Sequence, residues 1–117
     1  DVATDEIAAR FFSRAEAATL RALPPVQQLA AFFNCWTRKE AYIKARGEGL
    51  SMPLDRFDVS LAPGEPARLL RVADNADEAA RWTLMALDVG AGYAAALAVA
   101  GEGVRLARFE VEVQTKT

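Results

Sequence analysis

The hydrophobic period of the chain changes halfway along, and this change limits the folds that are open to it. Up to residue 45 the apolar residues recur at the three- and four-residue spacing of helices. From residue 57 onward, apolar and polar residues alternate in short runs, as in half-buried strands. Helices followed by strands indicate an α+β fold, and we expect three helices packed on an antiparallel sheet.

Capping and turn residues bound the predicted elements. Ser13 and Glu16 have the spacing of a capping box that opens the second helix. Pro24-Pro25 separates this helix from the third, and Gly47 and Gly49 are expected to end the third. The predicted helices cover residues 5–12, 13–23 and 26–45, and the predicted strands cover residues 57–61, 68–72, 81–89, 93–99 and 104–113.

Composition narrows the functional classes. The chain has 117 residues, and we expect one domain over residues 1–113 followed by a frayed tail at 114–117. It contains no histidine, which excludes His-based acid–base catalysis and His-ligated zinc within this chain. Any metal bound here should therefore be a hard cation held by carboxylates.

Charge and apolar content also limit the expected partners. The formal net charge is −2, which provides no basic field for nucleic acid. No apolar run reaches the roughly 18 residues needed to span a bilayer. Cys35 is the single cysteine and should pack as a small buried side chain. We expect a cytoplasmic protein with neither nucleic acid nor membrane as partner.

The third predicted helix carries an unusual carboxylate. At about 100° per residue, an apolar stripe of Leu29, Phe32, Phe33, Trp36 and Ile43 should face the core. Glu40 falls in the middle of this stripe, with Lys39 and Lys44 at its two edges. Arg38 and Asn34 fall on the opposite side, which is expected to face water.

Two interpretations of Glu40 follow from this geometry. A carboxylate in an apolar stripe is costly unless it is paired or metal-bound. It could form an ordinary pair with Lys44 four residues on, which would be structural. Alternatively it could hold a metal while Lys39 and Lys44 face a bound phosphate, as in the recurring apparatus of phosphoryl chemistry.

A longer motif resembles a known family. Phe32-Phe33-x-x-Trp36-Thr37-Arg38-Lys39-Glu40-Ala41-Tyr42-Ile43-Lys44-Ala45, followed by Gly47-Glu48-Gly49-Leu50-Ser51-Met52-Pro53-Leu54, resembles the signature of the 4′-phosphopantetheinyl transferase superfamily. Phe11-Phe12-Ser13-x-x-Glu16 upstream and the hairpin at residues 82–98 fit the same pattern. The resemblance extends over roughly residues 6–100 and is strongest to the larger, pseudo-dimeric, surfactin-synthetase-activating type. This chain resembles the C-terminal half of such an enzyme.

The resemblance implies a reaction and residue roles. A serine of an acyl or peptidyl carrier protein attacks the β-phosphorus of coenzyme A, which transfers the phosphopantetheine arm and releases adenosine 3′,5′-bisphosphate. By the same resemblance, Glu40 would be a Mg²⁺ ligand, and Lys44 would contact the phosphates and take part in proton transfer. Lys39 would be a second phosphate-side lysine, and Glu16 an acidic residue near the site. From its sequence context, Glu16 is better explained as the partner of Ser13 in the capping box than as a catalytic residue.

One part of the family pattern is missing. The family's other two metal carboxylates lie in a G-x-D-x-E segment upstream of the first helix, and this chain has no such segment. We therefore expect a fragment that begins just after that segment and is inactive alone. Such a fragment would pair with the N-terminal half or self-associate. The alternatives are a non-catalytic binding or scaffold domain of the same fold, or an unrelated carrier-docking module that needs no metal.

Overall fold

The computed structural model describes residues 2–47, 53–88, 90, 93–100 and 106–112. Its helices are α1 (Val2–Phe11), α2 (Arg14–Ala22), α3 (Pro25–Arg46) and the short α4 (Glu78–Arg81), with a 3₁₀ turn at Leu54–Arg56. Its strands are β1 (Phe57–Val59), β2 (Leu69–Val72), β3 (Trp82–Leu87), β4 (Tyr93–Ala100) and β5 (Leu106–Glu112). The predicted α+β class is confirmed. Among the described helices, none is both long enough and apolar enough to cross a membrane.

The strands form two antiparallel sheets in place of the single sheet that was predicted. β1 pairs with β2, with Phe57 opposite Val72 and an irregularity between Asp58 and Val59. The second sheet has the order β3-β4-β5, with Trp82 opposite Ala100. The predicted hairpin of β3 and β4 is confirmed. α4 was not predicted, because its four residues are too few to show a helical period.

Helix ends follow the predicted capping chemistry. Ser13 accepts a hydrogen bond from the Glu16 backbone N–H, and the Glu16 side chain accepts one from the Ser13 backbone N–H, which confirms the capping box. Pro25 begins α3, where its fixed φ suits the first turn. Gly47 ends α3 with φ 64°, a left-handed conformation that glycine adopts without steric cost. Residues 48–52, which include the predicted stop residue Gly49, and the predicted tail at 114–117 lie outside the described residues.

The long helix α3 packs chiefly on β4 and β5. Both the helix and β4 bury several small side chains. Ala31, Cys35 and Ala41 on the helix, and Ala96 and Ala98 on β4, are all fully buried. Small residues on both sides allow a helix and a sheet to approach closely. Cys35 is a free buried cysteine, as predicted, and burial raises the pKa of its thiol well above the usual range.

The orientation of α3 differs from the predicted one. Of the apolar stripe, Phe32 is buried, but Leu29, Phe33, Trp36 and Ile43 remain partly exposed. The most buried side lies opposite and combines three small residues with two large ones: Ala31, Cys35 and Ala45 with Arg38 and Tyr42. The prediction that Arg38 faces water is wrong. The helical wheel favoured the large apolar residues and gave too little weight to the alanines, which determine where the sheet fits.

Candidate active site

Glu40 lies on the partly exposed side of α3, between the half-buried Trp36 and Ile43. Within the described part of the chain, its carboxylate has no hydrogen bond and no cation within 4.0 Å. The Glu40–Lys44 ion pair that would make this carboxylate structural is therefore not formed. Glu40 is a partly buried charge whose oxygens the fold does not use.

Lys44 lies one helical turn beyond Glu40 and is exposed. Residues four apart lie on the same side of a helix, so the two side chains share one face of α3. Lys44 is also in the last turn of the helix, where a cation is favoured by the helix dipole. The structure thus brings Glu40 and Lys44 to one accessible surface, in agreement with the sequence geometry.

Lys39 points the other way, into the protein. Its side chain is 1% exposed and its Nζ lies 2.9 Å from Oε1 of Glu16. The same Nζ donates to the carbonyl oxygen of Leu54 at 2.6 Å and to that of Phe57, whose ring lies 3.8 Å away. An ammonium has three N–H donors, and these three acceptors account for all of them. This placement is at odds with the phosphate-side role that the family resemblance implies for Lys39.

Glu16 is the partner that keeps Lys39 inside. Besides the capping box, its Oε2 accepts the backbone N–H of Val59 at 2.6 Å, so the carboxylate joins α2, α3 and β1. Burial raises the pKa of Glu16, although Lys39 and the hydrogen bonds from Ser13 and Val59 oppose the rise. The side chain is 2% exposed. This arrangement favours the structural interpretation of Glu16.

A second buried hub was not predicted. The Tyr42 hydroxyl donates to Oε2 of Glu78 at 2.6 Å, and Nε1 of Trp82 donates to the same oxygen at 3.1 Å. Nη1 of Arg46 donates to the Tyr42 hydroxyl at 3.2 Å. Burial, together with the hydrogen bond to Glu78, raises the pKa of Tyr42. No local signal marks Glu78 for this role, because it lies 36 residues from Tyr42 and in the unpredicted helix α4.

The described residues include no group of three or more carboxylate, cysteine or histidine side chains that could hold a metal. Asp58 is a buried carboxylate on β1, and it forms an ion pair with Arg71 on β2 at 2.9 Å. Other described carboxylates without a partner, such as Glu6 and Glu65, are exposed, whereas Glu40 is a metal-ligand candidate that is partly buried and still unused by the fold. A single carboxylate is still compatible with Mg²⁺, which commonly takes one or two protein carboxylates and completes its shell with water and phosphate oxygens.

Comparison with known proteins identifies the family. The family model for the 4′-phosphopantetheinyl transferase superfamily matches residues 2–98. The chain is 40% identical over 99 residues to the 4′-phosphopantetheinyl transferase HetI of a Nostoc species, a match over 85% of this chain and 38% of HetI. It is 48% identical over 56 residues to the 4′-phosphopantetheinyl transferase Sfp of Bacillus subtilis, a match over 48% of this chain and 25% of Sfp.

Each of these relatives is longer than the region that it shares with this chain. The chain spans about a quarter to two-fifths of the length of HetI and Sfp. No solved structure shows a significant match. The family model covers both helical and strand regions, including α3 with Glu40 and Lys44. The chain belongs to the 4′-phosphopantetheinyl transferase superfamily.

Proposed function

We propose that the protein containing this chain transfers the 4′-phosphopantetheine arm of coenzyme A to a serine of an acyl or peptidyl carrier protein, with Mg²⁺. The relatives are named 4′-phosphopantetheinyl transferases, and family membership supports the same reaction here. Adenosine 3′,5′-bisphosphate is the second product. The cytoplasm, where coenzyme A is available and Cys35 would remain reduced, is the proposed location.

The observation that carries this proposal is the unpaired carboxylate of Glu40. A partly buried charge without a partner lowers the stability of a fold, so a functional role for it is favoured over a structural one. Its oxygens are hard donors that suit Mg²⁺. The bound ion would neutralise charge on the pyrophosphate of coenzyme A and orient it for attack.

Glu40 and Lys44 have separate roles in this proposal. The helix α3 fixes the backbone position of Glu40, and the carboxylate of Glu40 provides the ion with one ligand. Lys44, one turn on and exposed, binds the phosphate oxygens and stabilises the negative charge that develops on the leaving group. Its ammonium is also the proposed site of proton transfer. The family resemblance supports these roles, whereas the buried Lys39 is assigned to the fold.

The exposed side of α3 also indicates where the rest of the enzyme would lie. Trp36 and Ile43 are partly exposed one turn to either side of Glu40, and the partly exposed Phe33 and Leu29 continue this side of α3 toward its N-terminus. Partly exposed apolar side chains along one side of a helix favour an interaction site there. We propose that the N-terminal half of the same enzyme, or a second copy of this chain, covers it and supplies the remaining metal carboxylates. The lobe alone would then be inactive.

The test follows transfer of a fluorescent coenzyme A arm to a carrier protein by the full-length enzyme. Glu40→Gln keeps the size of the side chain and removes its charge, and we expect it to reduce the rate about 100-fold or more, since a metal ligand supplies several kcal/mol of transition-state stabilisation. It should also shift Mg²⁺ dependence to higher concentration. Glu6→Gln, which changes an exposed carboxylate on α1, is the matched control and should transfer normally.

The outcomes separate an enzyme from a scaffold of the same fold. If the wild-type protein transfers the arm and Glu40→Gln folds but does not, the metal role is supported. Normal transfer by a folded Glu40→Gln variant would show that the carboxylate is not a metal ligand. If wild-type protein binds the carrier but transfers nothing at any Mg²⁺ concentration, the scaffold alternative is favoured.

A further inference from the structure

A groove of about 700 Å³ lies on the side of the domain away from Glu40. α3, the turn at residues 63–67 and the strand β3 form its walls, and its lining includes Arg38, Glu65, Pro63, Pro66, Leu84 and Met85. Arg38 lies about 160° around the helix from Glu40, since two residues at 100° each separate them. The groove is therefore distinct from the proposed active site.

Arg38 brings a positive charge into this groove with only part of its hydrogen bonding satisfied. The residue is 4% exposed. Its Nη1 donates to the Ser60 carbonyl oxygen at 2.7 Å and approaches the Ser60 hydroxyl at 3.4 Å. Within the described residues, its other two nitrogens have no hydrogen-bond partner, and no carboxylate lies within 4.0 Å.

Burial separates most of the Arg38 side chain from water, but its two unbonded nitrogens still reach solvent in the groove, since no buried side-chain nitrogen of the described residues lacks a partner. Burial accordingly lowers the pKa of Arg38. The free N–H donors of an arginine form a planar fork that suits a carboxylate. The groove thus presents a guanidinium with free donors, and its nearby carboxylate, Glu65, acts on it without forming an ion pair within 4.0 Å.

The walls of the groove indicate what kind of molecule would carry a carboxylate to these donors. β3 is an edge strand of its sheet, so one side of its backbone is unpaired among the described strands. Met85 on this strand is 44% exposed, and the prolines of the turn face it across the groove. An unpaired edge beside apolar walls is the arrangement that accepts an extended peptide by strand addition.

We propose that this groove docks an extended segment of a partner protein, with an acidic side chain of that segment bound to Arg38. The backbone of the segment would pair with the free edge of β3. Its apolar side chains would pack on Met85, Leu84 and Pro66. This role is independent of the proposed transfer reaction, because Glu40 and Lys44 lie on another face of α3.

Glu65 provides a matched control on the same rim. Its side chain is exposed in the turn beside Arg38, and its charge acts on the guanidinium without forming an ion pair within 4.0 Å. It should repel an incoming carboxylate. Removing the charge of Glu65 should therefore strengthen binding, whereas removing that of Arg38 should weaken it. A merely structural role for Arg38 predicts no such opposite pair of effects.

The experiment measures fluorescence anisotropy of a labelled five-residue peptide on the full-length protein. The peptide alternates threonine and valine around a central glutamate, and its partner has a central glutamine. We expect the glutamate peptide to bind about tenfold more tightly, since a charge-assisted hydrogen bond is lost in the other. Arg38→Gln should make the two affinities equal, and Glu65→Gln should tighten the glutamate peptide alone about twofold to threefold.

Two further arms make the result decisive. Met85→Asp, an exposed change that preserves the core, should weaken the glutamate peptide, and it carries the test if Arg38→Gln does not fold. Saturating coenzyme A should leave the affinity unchanged if the groove and active site are separate. Equal binding of both peptides to the wild-type protein, no binding of either at 5 mM (about the weak limit of specific recognition), or a glutamate preference that survives Arg38→Gln would overturn the proposal.

Discussion

Replacement of Lys39 by methionine separates the fold from the chemistry of this domain. The structure buries the ammonium against Glu16 and two carbonyl oxygens, whereas the family resemblance implies a phosphate contact. Methionine keeps the length and apolar stem of lysine and removes only its charge and donors. We therefore expect Lys39→Met to lower stability strongly, because it leaves the carboxylate of Glu16 buried without its cation.

The expected size follows from buried ion pairs in general. Removing one partner costs about 3–5 kcal/mol. A cooperative unit of 117 residues has an unfolding entropy of about 0.25 kcal/mol/K. The midpoint of thermal unfolding should therefore fall by about 12–20 °C, measured by circular dichroism. The double variant with Glu16→Met should fall short of additivity by about 0.5–3 kcal/mol, since the two side chains are in contact.

The pH dependence of this variant gives a second check. Lys39 lowers the pKa of Glu16, against the upward effect of burial. Without Lys39, that pKa should rise further above its unfolded value near 4.5. The native state then binds the extra proton more tightly than the unfolded state in that window, so its stability should increase as pH falls. The loss caused by Lys39→Met should be smaller at pH 5 than at pH 8.

Lys44→Met is the matched control, since it removes an exposed ammonium from the same helix. It should change the free energy of unfolding by no more than about 0.5 kcal/mol and should greatly reduce transfer. If Lys39→Met instead unfolds within about 2 °C of wild type and loses transfer, the buried arrangement is not its functional state. The reasoning that assigns Lys39 to the fold would then be refuted.

Three other changes test separate parts of the fold. Tyr42→Phe should cost about 1.5–3 kcal/mol in chemical denaturation, since it removes a hydrogen bond to the buried carboxylate of Glu78; an unchanged midpoint would contradict that hub. Gly47→Ala should cost about 1 kcal/mol, because the left-handed φ of 64° disfavours a side chain, while a Cβ would only touch the carbonyl oxygens of Lys44 and Ala45 at 3.8 and 3.9 Å, an ordinary contact; a more stable variant would show that α3 ends differently. Burial tends to raise the pKa of Asp58, but hydrogen bonds from Arg71 and Ser13 outweigh it and lower the pKa, so stability should fall as pH drops below about 4. Asp58→Asn should reduce that acid sensitivity, and an identical acid profile would exclude Asp58 as its source.

The elements of the fold could largely be predicted because their signals are local. The capping box at Ser13, the proline start of α3 and the glycine at its end are each contained in a few residues. The hairpin of β3 and β4 follows from alternation and a glycine turn. The pairing of strands into two sheets does not follow, since it depends on how distant segments pack.

The site could be predicted only in part. Glu40 and Lys44 were placed together correctly, because residues four apart on a helix share a face. The burial of Lys39 and Arg38 was not predicted, because the direction in which α3 turns its small residues depends on the sheet opposite. The partners of these two buried charges lie 15 to 23 positions away along the chain: Leu54 and Glu16 for Lys39, and Ser60 for Arg38. Helical periodicity contains no information about such distant partners.

The two buried hubs have a consequence for metal affinity. Lys39 anchors α3 to Glu16 on one flank, and Tyr42 anchors it to Glu78 on another. The two anchors lie about 60° apart around the helix, but they tie it to two different helices, α2 and α4, so this part of α3 resists both rolling and sliding. Glu40, between them in sequence, therefore has its backbone ordered before any ion arrives. Binding has to restrict only the rotamers of that one side chain, and each restricted side chain of this kind costs about 0.5–1.5 kcal/mol. A rigid helix can thus contribute a useful ligand even when it contributes only one.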